Sequence, residues 1–163
     1  MNEISNIGKR QPFICVDRRP TYQEVYDMEH ETETVEMGEG RVLIMDSISY
    51  MGDDTSQSDV IVCASHGGYS AGEYALNYPA PRAVIYNDAG LGKDNAGIVA
   101  LTMLEEKGIA AATVSHNSAR IGDSKDTYEN GVISHVNNVA SSLNISVGMT
   151  VKDVCGVLLG KAS

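Results

Sequence analysis

Apolar residues gather into short runs: RVLIM at Arg41–Met45, DVIVCA at Asp59–Ala64, RAVIY at Arg82–Tyr86 and IAAATV at Ile109–Val114. None alternates apolar with polar positions, which is the pattern of strands covered on both faces. Helices are predicted over Ser70–Tyr78, Asn95–Lys107, Gly131–Leu143 and Val151–Leu159. The second has Asp94 or Asn95 as N-cap and Gly108 as stop. In the third, Val132, Val136, Val139 and Leu143 share one helical face. The fourth opens on Thr150-Val-Lys-Asp153, a capping box with Asp in place of Glu or Gln. Upstream, HETETVEM (His30–Met37), the turn Gly38-Glu39-Gly40 and the run from Arg41 predict a hairpin that adds an edge to a sheet. Phe13–Val16 is a further extended segment.

Strand and helix alternate from residue 41 onward, and parallel strands need such crossovers. The expectation is one α/β domain over 1–163, with an N-terminal β extension (1–40) before an α/β core (41–163). That core would be three-layered, with a mostly parallel sheet of Rossmann-like or flavodoxin-like form. The connection Asn117–Asn130 is long, polar and without periodicity, which predicts a lid over a site.

Composition narrows the class. The chain has 163 residues, 42% hydrophobic and 21% charged, as in soluble globular domains. Its apolar runs are strand-length, too short to span a bilayer, and the first residues lack the apolar stretch of a secretory signal. Cys15, Cys63 and Cys155 fit neither a disulfide framework nor a C-x-x-C metal site. Free thiols and a cytoplasmic location are therefore expected. The net charge of −10 comes from residues 21–60, which hold eleven acidic groups against Arg41 alone. No basic stripe offers phosphate contacts, which argues against nucleic acid. The acidic stretch reads as a solvated face or a docking surface.

Chemistry concentrates where the predicted strands end: Asp46-Ser47, Ser65-His66-Gly67-Gly68, Asn87-Asp88 and Ser115-His116-Asn117. In a parallel sheet these carboxyl ends share one edge, where open α/β folds bind ligands. Asp, Asn, Ser and Gly at such places are also ordinary turn formers, but histidine has no such preference. His66 and His116 are the candidate acid–base groups, Asp88 would orient an imidazole, and Ser65 joins them as a catalytic candidate. No cofactor is predicted; a divalent metal on His66, Asp88 and His116 is the alternative, although no H-x-H or H-x-x-x-H spacing supports it. Gly67 and Gly68 would offer oxyanion-stabilising amides. Asp46 and Asn87 complete the substrate side of the edge.

Asp88-Ala-Gly-Leu-Gly-Lys-Asp94 lacks the Walker A pattern, since Asp94 stands where Ser or Thr would bind magnesium. Its freed backbone and Lys93 still suit an anion. Arg120 would clamp a carboxylate, with Asp123 positioning it or acting as acid or base. His30 reads as surface, and His135 has no site-like context.

Gly68-Tyr69-Ser70-Ala71-Gly72 satisfies the G-x-S-x-G spacing of a nucleophile elbow. Over Gly68–Leu76 the sequence GYSAGEYAL also resembles the nucleophile segment of malonyl-type acyltransferases, which would make Ser70 the nucleophile. Tyr69 replaces that family's histidine and those domains are much longer, so no membership is read from the match. Ser70 reads instead as the first turn or N-cap of a helix.

The sequence thus points to a small enzyme acting on a polar, anionic metabolite by acid–base chemistry, leaning slightly to a hydrolase over an isomerase or lyase. The contrasting reading is a non-catalytic accessory subunit that docks through its acidic segment. A homo-oligomer is expected in either case.

Overall fold

A computed structural model describes Thr21 and residues 32–160. Phe13–Val16, Cys15 and His30 lie outside the described residues. Six strands form one mixed sheet: β1 Glu33–Met37, β2 Gly40–Met45, β3 Asp59–His66, β4 Ala83–Asn87, β5 Ala110–Val114 and β6 Ile133–Val136. Five helices accompany them: α1 Tyr69–Leu76, α2 Val99–Glu105, α3 Ser124–Asn130, α4 Asn138–Ser142 and α5 Val151–Leu159. Short 3-10 segments run over Ile48–Tyr50 and Lys93–Ile98.

The strands lie in the order β1-β2-β3-β4-β5-β6. β2 through β5 pair in parallel, whereas β1 and β6 add antiparallel edges. The hairpin at Gly38–Gly40 forms as its alternation predicts, with Gly38 in the left-handed region at φ 54°. A doubly wound sheet reverses its strand order at a switch point; this order never reverses. Each parallel step advances the same way, and connections of one hand then return over one face. Accordingly Ile48, α1 and α2 cover the side of Leu43, Ile61, Val84 and Ala111. The opposite side, with Val42, Val60, Ile85 and Ala112, is covered by Ala119, α4 and α5. Strands buried on both faces explain why their runs show no alternation.

Two predicted elements differ. Gly131–Leu143 is not one helix but β6 followed by α4. Asn137 makes the break: its side chain caps α4 at Ala140 N, accepts from Ala111 N and donates to the Leu101 and Ile109 carbonyls. A buried asparagine with these four bonds fixes a strand end and a helix start at one residue, overriding the helical spacing of the valines. The segment 117–130, predicted without periodicity, contains α3 and lines a cavity at the sheet edge. Asp123 caps α3 at Asp126 N, and Gly122 N donates to the Ala64 carbonyl at 3.0 Å. α3 buries only Ser124 and Thr127, so it shows no apolar periodicity.

Cys63 and Cys155 are free and buried, and burial pushes both thiols up to about 12. They act as small core hydrophobes. Among the described residues no helix is long and apolar enough to cross a membrane.

Candidate active site

The carboxyl ends of β3, β4 and β5 carry His66, Asp88 and His116, as the strand reading requires. The structure joins only two of them. Asp88 is buried, and its Oδ1 accepts from His116 Nδ1 at 2.8 Å, from His116 N at 3.0 Å and from Gly90 N at 2.9 Å. Its side chain is 6% exposed, while that of His116 is 47% exposed. The pair is therefore anchored at Nδ1 with the rest of the ring open. Burial pushes Asp88 up, but donation from Gly90, from the His116 amide and ring, and from the Ser134 hydroxyl outweighs it and holds the carboxyl below its usual value. An ionised Asp88 fixes the neutral ring as the Nδ1–H tautomer, which leaves Nε2 free to take a proton.

The turn that builds this arrangement is strained. Ala89, Gly90, Leu91 and Gly92 all lie at positive φ, between 49° and 70°, and Asp94 and Asn95 follow at 55° and 59°. Non-glycine residues in this region cost about 1 kcal/mol or more each. The strain brings Gly90 N onto Asp88 and lets Gly97 N reach the Leu91 carbonyl at 2.7 Å. Asp94 and Asn95 therefore do not cap the following helix, which starts at Val99. A Cβ on Gly97 would sit 2.5 Å from the Asp88 carbonyl oxygen. Gly97→Ala is thus expected to cost about 1–3 kcal/mol in urea unfolding, and to shift the Asp88 and His116 amide resonances.

His66 stands apart. Its Nδ1 accepts from Gly68 N at 3.0 Å, so the neutral ring carries its proton on Nε2. It lines a second cavity of about 420 Å³ with Ser65, Ser70 and Tyr74, whereas His116 lines a cavity of about 560 Å³ with Arg120 and Asp126. Among the described residues no three or more His, Cys, Asp or Glu are grouped to hold a metal ion.

The remaining candidates hold mainly structural bonds. Gly67 N donates to the Asn87 carbonyl and Gly68 N to His66, which commits both amides once assigned to an oxyanion. Ser65 Oγ accepts from Ile48 N. Asp46 Oδ1 accepts from Ser124 N and Oγ. Asn87 is buried between the Ala119 carbonyl and Ala89 N. Asp123 is a helix cap and Lys93 lies on the exposed 3-10 turn, lining neither cavity. Arg120 does face the His116 cavity. Ser70 sits in the first turn of α1 behind Gly68 as N-cap, and no residue from 67 to 72 has positive φ. The left-handed backbone of a nucleophile elbow is thus absent after β3; the left-handed run lies instead after β4, where no serine or cysteine stands.

Sequence reasoning passed over Asp126, Ile121 and Ser134. Asp126 accepts from Arg120 N at 2.7 Å. Ser134 is the extra residue of a bulge opposite Thr113–Val114, and its hydroxyl lies 3.0 Å from Thr113 Oγ1. His135, beside it, contacts Thr113 and Ser134 and lines a separate groove with Glu105. Only the glycine pair in Asp88-Ala-Gly-Leu-Gly signalled the strained turn. Comparison with protein-family models, with curated proteins and with solved structures gives no match to this chain.

Proposed function

We propose that this protein is an enzyme acting on a small anionic metabolite by acid–base chemistry at the carboxyl edge of its sheet. In this reading the domain is a three-layer α/β unit. His116 takes and returns a proton at Nε2, Asp88 orients the ring and stabilises its charged form, and Arg120 holds the substrate's negative group. The observation that carries it is the buried Asp88 bound to His116 Nδ1 at 2.8 Å, with the half-exposed ring lining the same cavity as Arg120. Hydrolysis by a His116-activated water is preferred over attack by a serine. The serine in that cavity, Ser118, already donates to the Ser115 carbonyl and accepts from Val132 N.

The test is a panel of anionic esters, lactones, amides and hydroxy acids, assayed with wild type and His116→Ala. One substrate should turn over and lose about 10²-fold or more in the variant. Equal turnover by both proteins overturns the assignment.

A further inference from the structure

Ile121 belongs to both cavities at this edge. One holds His116, Arg120 and the small side chains Ala89 and Ala119. The other is walled by Ile48, Ala64, Ala71 and Tyr74. The ridge between them is fixed at both ends, since Arg120 N donates to Asp126 Oδ2 and Gly122 N to the Ala64 carbonyl. Ile121 is nevertheless 48% exposed. An aliphatic side chain held in the open by bonds on either flank presents an apolar surface to both cavities.

The two cavities differ in what they can recognise. Arg120 is the one lysine or arginine among the described residues lining either of them. Asp126 lines the same cavity, but its two oxygens already accept from Arg120 N and Asn130 Nδ2, so the place for an anionic group is the Arg120 guanidinium beside His116. The second cavity has Ser70 at its rim, and its other polar groups, Asp46, Ser47, Ser65 and His66, accept hydrogen bonds from their own fold. The aliphatic and aromatic walls there suit an uncharged, apolar body. The volumes, about 560 and 420 Å³, leave room for a ligand that reaches from one cavity into the other with a few placed polar contacts.

We propose that the two cavities are one binding site for an amphipathic anion, its carboxylate or comparable head at Arg120 and its apolar body laid over Ile121 into the Ile48–Tyr74 cavity. The placement of the head rests on the acid–base reading above; the apolar body goes beyond it. The reacting bond then lies near the head, within reach of His116, and the body supplies binding and orientation.

Straight-chain carboxylates test this on the full chain by ¹H–¹⁵N NMR titration, with acetate, butyrate, hexanoate and octanoate as probes. Affinity should rise about fourfold per methylene that becomes buried. Acetate should move the Arg120 and Ile121 amides only, and octanoate those of Ile48 and Ala71 as well. Ile121→Ser should flatten the series while leaving acetate binding intact, and Arg120→Gln should weaken every member. A flat wild-type series with acetate still at Arg120 overturns the apolar body and leaves the acid–base reading standing. Absence of any shift near Arg120 overturns both.

Discussion

Asp88→Asn is expected to lower kcat about 10³-fold on the substrate that the panel identifies, with KM little changed. Asp88 itself lines neither cavity; it acts through His116. Asparagine can still accept from Gly90 N and His116 N, because these two and the His116 ring converge on one oxygen. The Ser134 hydroxyl, the fourth donor, can accept from the new amide instead. The fold of the turn should therefore survive. What disappears is the negative charge that stabilises the imidazolium when Nε2 takes its proton. The split between kcat and KM checks this directly: a raised KM with kcat unchanged would assign Asp88 to substrate binding, and unchanged kcat and KM would remove it from the mechanism.

Asp59→Ala should give the largest loss of stability, about 3 kcal/mol, measured by urea unfolding at neutral pH. Its side chain is fully buried and receives a fork from Arg41 Nε and Nη2, each at 2.8 Å, together with Ser56 N at 2.8 Å. Truncation leaves the Arg41 charge and the Ser56 amide without their acceptor. Burial pushes the Asp59 carboxyl up, but the bonds and charge of Arg41 and the bonds of Ser56 outweigh it and hold it low. Between that lowered native value and the ordinary value of about 3.9, the unfolded chain binds more protons than the native one. Stability from Asp59 is therefore whole above the ordinary value and is lost as pH falls through the native one. Asp88 contributes in the same direction. Asp59→Asn should accordingly flatten the acid limb of the stability profile relative to wild type.

Much of the fold was legible because burial on both faces writes itself as uninterrupted apolar runs. The four central strands follow from it; the start of α5 follows from the Thr150-x-x-Asp153 pattern, Thr150 accepting from Asp153 N. Strand order left no such trace, since an advancing and a reversing order use the same runs. β6 was hidden because Val132, Val136 and Val139 fit a helical stripe as well as a strand end. The decisive residue there, Asn137, acts through bonds to Leu101 and Ile109, more than two dozen positions away in the chain.

The site was half legible. Histidines at strand ends marked His66 and His116, and position after β4 marked Asp88. Which histidine pairs with Asp88 depends on register and on the left-handed run from Ala89 to Gly92. Two glycines hint at that run; Ala89 and Leu91 do not. The G-x-S-x-G spacing drew attention to the turn after β3, whereas the backbone strain lies one strand further on.

Long-range ¹H–¹⁵N NMR of the imidazole nitrogens, at a pH where both rings are neutral, reads whether Asp88 anchors His116 at Nδ1 and leaves Nε2 free. His116 should be the Nδ1–H tautomer and His66 the Nε2–H tautomer, with the His116 Nδ1–H signal lost or shifted in Asp88→Asn. A His116 found protonated at Nε2 and bare at Nδ1 would remove it as the proton acceptor at this edge.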